Sequence, residues 1–134
     1  EIYLLSFKMF LDNPVTGIGI NNFKFLCNNN KDYQNMMEHY ECASHPHNIY
    51  IQWLTEGGLI VFILFILYLI FLMFFILNNN GDKKYKIISI AVIIIMFWPI
   101  MSTGSLIKNW FGVSTFFIVG LCICLSRFRN NSQN

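Results

Sequence analysis

Charge is scarce in this chain. Only 12% of its 134 residues are Asp, Glu, Lys or Arg, against about 25% in ordinary soluble domains. The net charge is +2 and the basic residues are scattered, which argues against a nucleic-acid partner. Cysteine is limited to four residues without zinc-like spacing. No Asp-x-Asp pair occurs, so neither a metal nor another cofactor is expected. No basic stretch with a short apolar run and a cleavage site opens the chain, so no signal peptide is read. The chain starts at Glu1, and an upstream part of the protein is expected.

Apolar residues are abundant instead: they make up 55% of the chain and include 14 Phe. With so little charge, this composition points to lipid as the solvent. The wealth of Ile, Asn, Lys and Phe suggests an AT-rich bacterial genome. Leu59 to Leu77 is a run of 19 residues with no charge. As a helix it covers about 28 Å, close to the hydrocarbon core of a bilayer. Two further apolar runs follow, Ile87 to Met101 and Val113 to Leu125, the latter extended back to Trp110. The expected fold is an all-α membrane protein. Its three transmembrane helices, about 49–77, 87–101 and 110–125, follow an outward-facing loop region, 1–48, that carries short helices.

Lys83, Lys84 and Lys86 mark one side of the membrane, and Arg127 and Arg129 return to that side two crossings later. The positive-inside rule makes this side cytoplasmic. Residues 1–48 and the turn 102–109 then face outward together, towards the periplasm or exterior of a bacterial inner membrane. Trp53, Trp98 and Trp110 fall near the outward ends of their helices, as in an aromatic belt.

Within the outward region, Ile2, Leu5 and Met9 recur at helical spacing, and Asp12-Asn13-Pro14 ends that helix. Val15 to Asn22 reads as turns. Its Gly17 and Gly19 lack the third Gly of a phosphate-cradling loop. Phe23 to Ser44 is the most polar stretch, with a short helix expected around Tyr33 to Tyr40. Cys27 and Cys42 both lie there, and an oxidising compartment permits a disulfide between them. Cys122 and Cys124 lie in an apolar run and read as small packing residues.

The segment Ala43-Ser44-His45-Pro46-His47-Asn48 opens the long helix. Ser44 or His45 suits the cap, and Pro46 suits the first turn. That places His47 in the first turn, where the helix dipole favours a neutral ring. A neutral imidazole is a competent general base, and the same helix end attracts anions. Two readings stay open for His47: a catalytic base, or a local cap. On a helical wheel with Asn48 at zero, Gln52, Thr55 and Glu56 fall at about 40°, 340° and 80°. Such a polar stripe faces protein or a water-filled cavity rather than lipid. Glu56 lies about 180° from His47, so on a continuous helix the two form no pair. Glu56 is expected to hold a neighbouring helix or loop, and Gly57-Gly58 is a place for a kink.

These residues carry a family resemblance. His45-Pro-His-Asn-Ile-Tyr-Ile-Gln-Trp-Leu-Thr-Glu-Gly-Gly-Leu-Ile60 resembles the "HN-x-Y-L…E-x-G-L-I-G" signature of the O-antigen ligase and polymerase superfamily. Asn13-Pro-Val-Thr-Gly-Ile-Gly-Ile-Asn-Asn-Phe23 resembles its "NP-L-x-G-x-G-x-x-x-F" element. Gly104-Ser-Leu-Ile-Lys-Asn-Trp110 resembles the outward turn between its last helices. Val61 stands where the second Gly of the signature is usual. The family's Arg ahead of the Asn-Pro element would lie before Glu1, and the outward residues hold no Arg. Lys24, Lys31 and Lys108 are the available point charges.

The resemblance implies a membrane glycosyltransferase of surface polysaccharide assembly. Its donor would be a polyprenyl-diphosphate-linked glycan and its acceptor a lipid or a sugar. His47 is then the candidate catalytic residue. His45, Asn48, Gln52, Glu56 and Lys108 are candidate substrate-binding or supporting residues, and His39 in the polar loop is expected to be dispensable. An O-antigen polymerase-like enzyme is one alternative, and a non-catalytic or transport-associated membrane protein of the same fold is another.

Overall fold

The computed structural model describes residues 1–37 and 41–129, with the side chain of Asn109 left aside. His39 and the end of the expected Tyr33–Tyr40 helix lie outside the described residues. Six helices and no strand occur among those described. They are α1 (Ile2–Asp12), α2 (Phe23–Asn29), α3 (Lys31–Asn35), α4 (Ile49–Leu77), α5 (Lys83–Met96) and α6 (Asn109–Ser126). The polar stretch thus forms two short helices, both starting earlier than the single one expected. Asn30 separates them: it ends α2 in an extended conformation, and its side chain accepts from Asp32 N–H to start α3.

The helices build two packed clusters. Leu5, Met9, Ile18, Phe23, Cys27, Tyr33 and Met37 form one, under α1 to α3. A Cys27–Cys42 disulfide and a hydrogen bond from Tyr33 Oη to Asp12 (2.8 Å) close this unit. The second cluster joins α4, α5 and α6 through Phe65, Leu72, Ile76, Ile93, Phe97, Val119 and Cys122. Outside it, Leu64, Leu67, Phe71 and Phe74 on α4 stand exposed, as a face turned to lipid requires.

Helix α4 is the one helix among those described that is long and apolar enough to cross a membrane by itself. It is not one continuous helix. Gly58 adopts φ 66° and ψ −168°, a region open essentially to glycine alone. The break orphans four backbone groups, and the Pro14–Gly19 loop takes all of them. Leu59 N–H donates to Pro14 O (2.9 Å) and Ile60 N–H to Val15 O (3.4 Å). In return, Ile18 N–H donates to Thr55 O and Gly19 N–H to Glu56 O, both at 3.0 Å. Two helical hydrogen bonds are exchanged for four to the loop, which meets the demand that buried backbone polar groups be paired. The approach is so close that a Cβ on Gly17 would overlap the Glu56 carbonyl, and one on Gly58 the Val15 carbonyl.

Helix α5 corrects the expected bounds 87–101. It starts at Lys83 and ends at Met96, with Phe97 as its cap. Pro99 has no N–H and disfavours a helical residue before it, so the chain continues as irregular structure to Lys108. At about 1.5 Å per residue, α5 reaches only about 21 Å. Carbonyls just beyond its end are bound by the start of α4: Tyr50 Oη donates to Phe97 O (2.6 Å) and Asn48 Nδ2 to Pro99 O (2.7 Å).

Candidate functional site

The start of α4 is where the His-Pro-His-Asn segment, the Asn-Pro loop and the α5–α6 turn converge. Asn48 is the helix cap: its Oδ1 accepts from Tyr50 N–H (3.0 Å) and Ile51 N–H (3.1 Å). This overturns the expectation that Ser44 or His45 caps and that Pro46 and His47 occupy the first turn. Asn is among the strongest caps, and it stands two residues further on than Pro46. The N–H groups expected to attract an anion are therefore engaged by Asn48.

His47 sits just outside the helix with φ 59°, a left-handed conformation uncommon for a residue other than glycine. Its carbonyl accepts from Thr103 N–H at 2.8 Å, so the α5–α6 turn holds it there. Its side chain is exposed. The helix-dipole argument for its neutrality belonged to a first-turn position that it does not occupy.

His45 is its opposite: buried, with its ring centroid 4.4 Å from that of His47. Its Nδ1 lies 2.9 Å from Ser44 Oγ, and Lys108 Nζ donates to the same Oγ at 2.7 Å. Its Nε2 is buried without a hydrogen-bond partner. Burial pushes the imidazole below its ordinary pKa. The neighbouring His47 and Lys108 push the same way, while the Thr103 backbone pulls weakly against them. Lys108 thus stands at the His pair. Lys24 and Lys31 are exposed on α2 and α3, and no contact brings them to it.

The polar stripe of α4 is buried along its length: Asn48, Gln52, Thr55 and Glu56 are 6%, 3%, 1% and 1% exposed. Each member ties a different element to α4. Thr55 Oγ1 donates to Ser6 O of α1 (3.1 Å), and Gln52 Nε2 to Ser105 Oγ (2.8 Å). Glu56 Oε2 accepts from Gln52 Nε2 and from Asn21 N–H, both at 3.1 Å. Glu56 therefore holds the Asn-Pro loop at its Asn21 end. The structure brings His45, His47 and Lys108 together and sets Asn48, Gln52 and Glu56 beneath them as supports.

Thr103, Ser105 and Asn21 were not singled out by the sequence, and Ser44 only as a cap. They act through backbone groups or short hydroxyls, which leave no pattern of spacing. No group of three potential metal ligands occurs among the described residues.

Residues 1–66 match the family model described as O-antigen ligase, Wzy_C. No curated protein and no solved structure matches the chain. The matched stretch contains the Asn-Pro loop, the His-Pro-His-Asn segment and the broken start of α4. These are the three parts that the backbone exchange at Gly58 and the cap at Asn48 lock together.

Proposed function

We propose that the protein is a membrane glycosyltransferase of surface polysaccharide assembly, because residues 1–66 match the family model described as O-antigen ligase. It moves a glycan from a polyprenyl-diphosphate carrier to a hydroxyl of a lipid or sugar acceptor. The acceptor oxygen attacks the anomeric carbon, the bond from that carbon to the diphosphate oxygen breaks, and the acceptor proton passes to a base. His47 is that base. The observation that carries the reading is its placement: an exposed imidazole, fixed by its own backbone at the entrance of a membrane helix. A buried His45, its pKa pushed down by burial, lies against it, and Lys108 is tied to the neighbouring Ser44. Lys108 supplies positive charge for the departing diphosphate as a point charge.

The reading places three crossings in a bacterial inner membrane: α4, α5 with its irregular extension, and α6. Residues 1–48 and the 102–109 turn face outward. The Cys27–Cys42 disulfide supports this side, since disulfides persist outside the reducing cytosol.

The test is surface-glycan complementation with the full-length protein at matched membrane abundance. A general base contributes about 10²- to 10⁴-fold. His47→Ala is therefore expected to lower glycan transfer by that order without loss of folded protein. Near-normal surface glycan with His47→Ala would remove the catalytic assignment and leave His47 a structural residue.

A further inference from the structure

The opposite end of the bundle carries a second built feature. Between the ends of α4 and α6 lies an open cavity of about 550 Å³. Phe71, Phe74 and Phe75 form one wall, the Asn78–Gly81 turn another, and Arg127 and Arg129 the third. The Arg127 guanidinium rests over the Phe75 ring, 4.9 Å from its centroid. A cation over a ring face keeps its N–H groups available to a further acceptor.

The arrangement is held in place by backbone. Gly81 packs so tightly on the end of α6 that a Cβ would overlap the Ser126 carbonyl. Asn79 Nδ2 donates to Ser126 Oγ (2.7 Å), and Asp82 N–H to Phe128 O (3.0 Å). Tyr85 meets Phe128 edge-on at 5.1 Å. Among the described residues, the one salt bridge joins Lys8 to Asp12, at the other end.

Charge balance decides what such a groove accepts. Lys83, Lys84, Lys86, Arg127 and Arg129 gather here against Asp82 alone. Two helix C-termini and one N-terminus also end here, adding about −0.5, −0.5 and +0.5 charge. These partial charges do not offset an excess of four cations, so the end favours an anion. The aromatic wall faces the lipid side, with Phe71 and Phe74 largely exposed. An anion with a long apolar tail matches both walls, and a membrane supplies one.

We infer that this groove binds an anionic phospholipid, its phosphate held between Arg127 and Arg129 and an acyl chain lying over Phe71 and Phe74. Lys86 contributes little directly, because its Nζ is engaged by Leu77 O and Asn79 O. The binding is independent of the glycosyltransferase reading, because it uses none of the residues around His47.

The experiment is native mass spectrometry of the full-length protein in detergent, titrated with phosphatidylglycerol or with phosphatidylcholine of the same acyl chains. Taking the attraction of one basic side chain to an anionic lipid surface twice, removal of both arginines is expected to weaken phosphatidylglycerol binding by about 30-fold. Arg127→Gln/Arg129→Gln should therefore bring the two lipids to parity, and Arg129→Gln alone should lose part of the preference. Among the described residues Arg129 makes no side-chain hydrogen bond, salt bridge or ring contact, so the single variant guards against a folding defect in the double one. Lys83→Gln/Lys84→Gln should keep the preference. Equal retention of both lipids by the wild type would overturn the site. So would an equal loss in the lysine variant, which would mean diffuse charge. Displacement of phosphatidylglycerol by inorganic phosphate alone would mean an anion site without lipid recognition, and would overturn the assignment as well.

Discussion

At the scale of single residues, the decisive position is a glycine. Gly58 carries the backbone break that lets the Pro14–Gly19 loop enter α4. An alanine there meets strain from φ 66° and a collision with the Val15 carbonyl. The strain alone costs about 1–3 kcal/mol, and the collision loosens hydrogen bonds whose loss when buried costs about 1–3 kcal/mol each. Gly58→Ala is expected to lower thermal stability in detergent clearly. Gly120→Ala, where a Cβ meets nothing within 4 Å, should not. Equal melting of the two variants would mean that the loop does not depend on the break. The sequence showed that Gly57-Gly58 was a place for a kink, and the wheel put Asn48, Gln52, Thr55 and Glu56 on one face. It did not show that the kink is filled by backbone from 40 residues upstream. An exchange of backbone hydrogen bonds leaves no side-chain pattern to read. His47 was misplaced for a different reason: Asn48 outcompeted Ser44 and His45 as the cap, and Ser and Asn both suit that role.

At the scale of elements, the long apolar helix was plain from composition, while α5 was read too far towards its C-terminus. Ile and Phe continue past Met96, but Pro99 and the carbonyl partners offered by Tyr50 and Asn48 end the helix early. The α2–α3 pair was hidden in a polar stretch where hydrophobic periodicity is weak, and the disulfide was permitted but not required by the spacing. That bond links buried Cys27 of α2 to Cys42, three residues ahead of His45. Closing a loop of about 15 residues restricts the unfolded chain by about 3 kcal/mol. A mass-tagging maleimide on the denatured protein should reach Cys122 and Cys124 without reduction and gain two further adducts after it. Cys27→Ser should abolish that gain, convert Cys42 into a free thiol and lower the melting temperature. Tagging of all four cysteines before reduction would show that the bond does not form in the cell.

At the scale of the whole molecule, charge and redox chemistry point the same way. The end carrying Cys27–Cys42 and the His pair has four lysines, Lys8, Lys24, Lys31 and Lys108, against six Asp and Glu residues. The other end has the excess of four cations described above. The proposed topology, with that end in the cytoplasm, agrees with the positive-inside rule, and a disulfide at the first end suits a position outside it. The weak link is α5, too short to cross alone and dependent on the 97–108 segment to reach the outward face. Irregular backbone is tolerated at membrane depth only where protein satisfies it, and here Tyr50, Asn48 and the His47 carbonyl do so. If α5 did not cross, α6 would begin on the cytoplasmic side and Lys108 would be parted from Ser44, which it contacts at 2.7 Å. Single cysteines in a background lacking the native four give the test. An impermeant thiol reagent added to intact cells or spheroplasts should label Lys24→Cys and Ile107→Cys, whose segments the proposed topology assigns to the outward side. Asn80→Cys, in the turn between α4 and α5, should react only after the membrane is opened. Labelling at position 80 in intact cells would invert the molecule, and protection at position 107 would mean that α5 does not deliver the turn to His47.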